Sequence, residues 1–163
     1  MKLAHLEYEM PVDVSTEKAW EVLARFTDVG DFHPGVLKSM ANGAKRSGLD
    51  TDRTCELPGK VIVHERIYEW NEGSSYRYDV YAWKKFPLKK MLTTFGVRRK
   101  AGSPHVWIYQ VVDYRLSPGF LTTIMKGKLR TALRDTLLGY KHFMETGEAN
   151  ADMKTLRKRY GSM

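Results

Sequence analysis

Apolar and polar positions change their period along this chain, and the changes order its elements. Leu6, Tyr8, Met10 and Val12 alternate with Glu7, Glu9 and Pro11, the period of two expected of a half-buried strand. Ser15 then offers an oxygen to a helix N-terminus with Glu17 in the first turn, and Ala19, Trp20, Leu23 and Phe26 follow at helical spacing. Asp28 to Pro34 reads as a short second helix or a tight connection, because the proline cannot continue a helix and Gly35 can turn freely.

From Val36 onward the pattern is strand-like. Six runs, Val36 to Met40, Thr51 to Leu57, Lys60 to Trp70, Ser75 to Trp83, Lys90 to Arg99 and Val106 to Leu116, are separated by turn-forming pairs such as Asn42-Gly43 and Pro58-Gly59. Short connections of this kind imply an antiparallel meander. A helix of about 25 residues then starts near Phe120, with Leu121, Met125, Leu129, Leu133 and Leu137 recurring every four residues beside Ile124, Tyr140 and Met144. Such a stripe must be buried, and the sheet is the only surface large enough to receive it. The reading is therefore an α+β chain with one domain over residues 1–148, followed by a basic tail over 149–163 that frays into solvent.

Composition narrows this picture little. One cysteine, Cys55, can form no internal disulfide and no structural zinc site, which fits a reducing, cytoplasmic setting. Neither a signal peptide nor an apolar run of spanning length is visible. The net charge of +8 adds more: it suits an anionic partner, whether nucleic acid, lipid surface or acidic small molecule, although a basic surface without such a partner is equally compatible.

The chain has no nucleophile elbow, no His-Glu-x-x-His pair and no phosphate or dinucleotide loop, so no cofactor, metal or catalytic residue is assigned. The informative position is Glu65. One face of its strand reads Val61, Val63, Glu65, Ile67, apolar but for a single carboxylate. If that face is inward, the carboxylate must meet a cation, a donor, water or a ligand; a fixed arginine or lysine partner, or reversed parity, are the alternatives. Tyr76 and Tyr78 share the next strand's face with Val80 and Ala82, and Met91, Thr93, Phe95 and Val97 share a face of the strand after it. For Val106 to Leu116 the period leaves the Trp107/Tyr109/Val111 and Ile108/Gln110/Val112 faces both open.

Jointly, Val14-Ser15-Thr16-Glu17-Lys18-Ala19-Trp20-Glu21-Val22-Leu23, Phe32-His33-Pro34-Gly35-Val36, Val63-His64-Glu65-Arg66-Ile67 and Leu138-Gly139-Tyr140-Lys141 resemble the START, polyketide-cyclase and birch-pollen-allergen (SRPBCC) superfamily. The likeness runs from about Leu6 to Gly147. It implies a helix-grip fold: a seven-stranded curved antiparallel sheet cups the long C-terminal helix, with two short helices between strands 1 and 2. It also implies a cavity for lipids, hormones or polyketides. The local pattern is most similar to the abscisic-acid-receptor branch. There Glu65 would be a pocket carboxylate, Leu57-Pro58-Gly59-Lys60 a gate and Phe86-Pro87-Leu88 a latch whose sequence departs from theirs; nothing in this chain supports the receptor role.

The expected function is binding or transport of a hydrophobic small molecule with a polar or acidic end. Its wall would be Phe32, Val63, Glu65, Tyr76, Tyr78, Met91, Thr93, Met125, Leu129 and Leu133. The alternative is a cyclase or dehydratase in which the same glutamate and tyrosines act as acid and base. Nucleic-acid binding is the least supported, resting on Trp83-Lys84-Lys85-Phe86 alone. Lys84, Lys85, Lys89 and Lys90 would form a positive rim at the mouth of a helix-grip cavity, able to steer an acidic ligand or rest on an anionic membrane; a solvated loop guarding a strand edge is the other reading.

Overall fold

The computed structural model describes residues 2–161. Strand β1 (Ala4–Val12) leads into helix α1 (Thr16–Leu23), a 3-10 turn (Phe26–Asp28) and the single-turn helix α2 (Val29–Phe32). Six strands follow: β2 (Lys38–Ala41), β3 (Asp52–Leu57), β4 (Val61–Asn71), β5 (Ser75–Lys84), β6 (Leu88–Arg99) and β7 (Val106–Leu116). Helices α3 (Leu121–Ile124), α4 (Lys126–Thr146) and α5 (Met153–Tyr160) complete the order.

The seven strands form one antiparallel sheet in the order β1-β7-β6-β5-β4-β3-β2. Consecutive strands from β2 to β7 are neighbours, as short turns require, and β1 joins β7 at the far side. Pro11 sits in β1, which pairs on one side only, so its missing N–H leaves no gap in a two-sided ladder. The inward faces follow the period of two: Leu6, Met10 and Val12 on β1, Val63, Glu65 and Ile67 on β4, and Tyr76, Tyr78 and Val80 on β5 are buried. On β7 the buried set is Ile108, Gln110 and Val112, which decides the face that alternation left open.

Ser15 caps α1 by accepting the Lys18 backbone N–H at 3.1 Å, and the helix buries Ala19, Trp20, Val22 and Leu23. It stops at Leu23 and not at Phe26, which begins the 3-10 turn. Helix α4 lies against β1, β7, α1 and α2 and ends where Gly147 takes the left-handed conformation, φ 76°. The expected long helix is jointed at Met125, and its stripe is buried only from Leu133 onward; Leu121, Met125 and Leu129 are half-buried and Ile124 is exposed. The basic tail is not frayed over 153–160. Asp152 caps α5 through the Thr155 N–H, Leu156 is fully buried, and Tyr160 hydrogen-bonds His142 at 2.9 Å. Ser162 and Met163 of that stretch lie outside the described residues. No described helix is long and apolar enough to cross a membrane.

Candidate functional site: a cavity between the sheet and α4

The concave face of the sheet and the first half of α4 do not close on each other. Between them is a cavity of about 330 Å³. Its floor comes from inward residues of β3 to β7, among them Val63, Val80, Met91 and Val112; its roof is Leu129, Ala132, Leu133 and Thr136 of α4. Val36, Leu57, Pro58, Phe86 and Leu88 line one end. Apolar side chains predominate because each strand contributes its inward alternates, and α4 contributes positions spaced by three and four.

Polar groups concentrate on the wall of β3 and β4. Arg53 and Glu65 stand opposite each other in the β3–β4 register, with Nε 2.5 Å from Oε2. The guanidinium also donates to the Phe26 carbonyl at 2.6 Å and lies 3.8 Å from the centre of the Phe26 ring. Burial is the largest single influence and opposes its charge, but Glu65, joined by Cys55, Tyr78 and Tyr140, together outweigh it and raise the Arg53 pKa, so the cation persists. Cys55 points its sulfur at Glu65 Oε2 across 3.7 Å. Burial, with the glutamate beside it, pushes this thiol up to about 12 and keeps it protonated.

His33 lines the same cavity with both ring nitrogens engaged. Nδ1 accepts the Gly35 N–H at 3.0 Å; Nε2 is 2.7 Å from the Thr136 hydroxyl, which itself donates to the Ala132 carbonyl at 2.8 Å. With that hydroxyl proton committed, Nε2 must carry the imidazole proton and donate it to Thr136. Desolvation, followed by the charge of Arg53, lowers the His33 pKa to about 4, so the ring is a neutral, fixed tautomer. The Tyr78 phenol is held well above its ordinary pKa by burial and by Glu65. Gln110 reaches in from β7, and its Oε1 is buried with no partner among the described residues.

Seven of the ten wall residues read from the sequence line this cavity: Val63, Glu65, Tyr78, Met91, Thr93, Leu129 and Leu133. Three do not. Phe32 turns toward the later part of α4, its ring 5.2 Å from Tyr140 and 4.6 Å from Phe143, because α4 approaches α2 closely at Gly139. Tyr76 is fully buried among Trp20, Phe26 and Trp70, and its hydroxyl donates to the Leu23 carbonyl at 2.9 Å. Met125 occupies the joint between α3 and α4. Of the four rim lysines, Lys90 is paired with Asp79 at 3.1 Å, while Lys84, Lys85 and Lys89 are exposed.

Sequence reasoning passed over Arg53, His33, Gln110 and Thr136. For Arg53 a signal existed: Arg53, Cys55 and Leu57 alternate with Asp52, Thr54 and Glu56, and a neighbouring strand carried an inward carboxylate in need of a cation. Nothing in the pattern marks His33 or Thr136. Among the described residues no group of three histidine, cysteine or carboxylate side chains is placed to hold a metal ion.

Comparison with known proteins places this geometry. No curated protein sequence matches the chain. The family model described as polyketide cyclase / dehydrase and lipid transport matches residues 4–142. Among solved structures, protein XoxI from Bacillus cereus is 18% identical and superposes with a TM-score of 0.72 over 86% of this chain and 95% of its own. The ginseng major latex-like protein 151 from Panax ginseng gives 15% and 0.70 over 91% and 99%. A START superfamily protein from Mycobacterium smegmatis gives 14% and 0.66 over 85% and 97%. At these identities the likeness establishes the helix-grip fold, and the family model goes further: the chain belongs to the polyketide cyclase / dehydrase and lipid transport family.

Proposed function

We propose that the protein binds or carries a hydrophobic small molecule inside this cavity, with its apolar body against Val63, Val80, Met91, Val112 and Leu129 and its polar groups toward Glu65, Tyr78 and Gln110. The observation that carries the reading is an apolar cavity of about 330 Å³ whose wall holds a few polar side chains, among them Gln110, whose buried Oε1 lacks a partner among the described residues. A volume near 300 Å³ is at the small end of ligand sites, and convergent polar groups in an apolar wall are what fix a ligand's orientation. A ligand burying about 200 Å² of apolar surface would gain about 5 kcal/mol before the costs of association.

The polar end is better matched by a hydrogen-bond donor such as a hydroxyl than by a carboxylate. Arg53 is already neutralised by Glu65 and bonded to Phe26, so it offers no free positive charge. Gln110 Oε1 accepts only. The acid–base reading receives less support, since the Tyr76 hydroxyl is committed to the backbone and both His33 nitrogens are occupied.

Fluorescence titration with the neutral apolar probe N-phenyl-1-naphthylamine tests the proposal. The wild type is expected to bind one probe, and Leu129→Trp, which fills the space, is expected to weaken binding at least tenfold while retaining the wild-type circular dichroism. Binding unchanged by that substitution would place the probe elsewhere and reject the cavity reading. Native mass spectrometry of the freshly purified protein would identify any molecule carried through purification.

A further inference from the structure

We infer that the open end of the cavity is a docking surface for an anionic lipid bilayer, formed by a ring of unpaired lysines around protruding apolar side chains. The inference deepens the cavity reading, on which its purpose rests, but it stands on different residues.

Four loops share this end of the molecule. The β3–β4 turn and the β5–β6 turn are brought together because Leu57 pairs with Val61 and Ile62 with Lys84. The segment after β7 joins them, since Leu88 pairs with Leu116 and the Ser117 N–H donates to the Pro87 carbonyl at 2.9 Å. The loop before β2 is tied in by the Leu37 N–H, which donates to the Glu56 carbonyl at 2.8 Å. Val36, Pro58 and Phe86 from three of these loops line the cavity, and Pro58 is exposed, so the loops surround its opening.

Charge is one-sided there. Segments 35–38, 56–60, 84–89 and 117–128 hold seven lysines and a single carboxylate, Glu56. Lys38 and Lys60 belong to the first two, Lys84, Lys85 and Lys89 to the third, and Lys126 and Lys128 to the fourth. All seven are exposed, and among the described residues none is in an ion pair, whereas lysines such as Lys90, Lys100 and Lys141 elsewhere are paired. Most of the chain's excess of +8 is therefore gathered at the cavity mouth.

Apolar exposure coincides with that charge. Among the described residues the three most exposed large hydrophobic side chains are Leu37 at 68%, Ile124 at 67% and Phe120 at 63%, and all three lie on these segments. Helix α3 is tied to the end of β7 through Thr122, which accepts from the Tyr114 hydroxyl and the Leu116 N–H, and Phe120 and Ile124 are left facing outward. Protruding apolar groups within a basic ring match an anionic interface, where apolar tips enter the headgroup boundary and each lysine adds to the attraction. Nucleic acid fits less well, because two of the three protruding groups are aliphatic and single-stranded bases need aromatic faces on which to stack.

Co-sedimentation with phosphatidylcholine vesicles, with and without 30% phosphatidylserine, at low and high salt, tests the surface. The wild type should bind the anionic vesicles at least tenfold more tightly, less so at high salt. Lys84→Gln/Lys85→Gln/Lys89→Gln and, separately, Phe120→Ser/Ile124→Ser should each lower that binding at least fivefold while titrating N-phenyl-1-naphthylamine like the wild type. Equal binding to both vesicle types, or none, overturns the inference, as does binding of a single-stranded RNA oligonucleotide in place of vesicles. Because the substituted residues are outside the cavity wall, vesicle binding and probe binding fail independently.

Discussion

Arg53 Nε approaches Glu65 Oε2 to 2.5 Å directly across the β3–β4 pair, and the two residues are only 3% and 8% exposed. A pair so withdrawn from water is neither simple stabilisation nor a free binding handle. Each charge requires the other, because an isolated buried ion costs far more than the pair. Arg53→Met, which strands the carboxylate, should cost about 3–5 kcal/mol in urea unfolding, and Glu65→Leu a similar amount. The double substitution Arg53→Met/Glu65→Leu should be more stable than either single one. A double variant at least as unstable as the two singles added together would show the residues to be uncoupled.

Leu129 and Leu137 lie two turns apart on one stripe of α4 and should respond differently to truncation. Leu137 is fully buried, so Leu137→Ala should cost about 2–5 kcal/mol. Leu129 is half-buried and faces the cavity, so Leu129→Ala opens no new void and should cost less than about 1.5 kcal/mol while changing probe affinity. Equal losses in thermal or urea unfolding would mean that the cavity is closed around Leu129.

The contrast shows what was legible in the sequence. Alternation marked the strands and pointed to inward faces on β1, β4, β5 and β6, because a one-residue slip would turn an apolar set to solvent, but it left β7 open and assigned no face to β2 or β3. The four-residue stripe of the last helix gave its burial in general but not its extent. Leu121, Met125 and Leu129 have the same spacing as Leu133 and Leu137, and spacing alone does not distinguish a residue that meets the sheet from one, such as Leu129, that faces a cavity. Glu65 was legible as an anomaly, whereas its partner Arg53 needed the strand register. Phe32 and Tyr76 were assigned to the cavity because an inward aromatic looks the same from the sequence whether it meets a ligand or another ring. The tail was read as frayed from its charge, yet α5 is seated by the buried Leu156 and by Met153 and Tyr160 packed against the core, with Asp152 capping it and Arg157 paired with Asp135.

Gly139 and Gly127 are both within α4, and alanine at the two positions should have effects of opposite sign. A Cβ at Gly139 would run into the Phe32 carbonyl oxygen and stand 2.8 Å from Pro34 Cδ, so the α2 loop would have to move. Overpacking of this kind costs about 1–3 kcal/mol and outweighs the helix propensity gained. At Gly127 nothing lies within 4 Å, and Gly127→Ala should raise stability by up to about 1 kcal/mol. Thermal melts of the two variants check the pair, and a stabilised Gly139→Ala would contradict the close approach of α4 to α2.

His33 should make stability depend on pH in a window set by its own environment. In the unfolded chain its imidazole titrates near 6.5, whereas the folded protein holds it neutral down to about 4, through desolvation first and the charge of Arg53 second. Between those values the unfolded state binds the proton and the folded state does not, so unfolding is favoured by acid. The contribution is fully present above about pH 6.5 and is lost as pH falls toward 4, a loss on the order of 2–3 kcal/mol. Carboxylates also titrate at the lower end of that range, so the comparison must be differential. His33→Gln carries no proton to bind and should be less stable than the wild type at pH 7, because it breaks the Gly35 and Thr136 contacts. The gap between the two proteins, measured by urea unfolding at steps from pH 7.5 to 4.5, should shrink with acid. A gap that stays constant would mean that His33 protonates as readily in the fold as outside it, and the fixed neutral tautomer at the cavity wall would have to be abandoned.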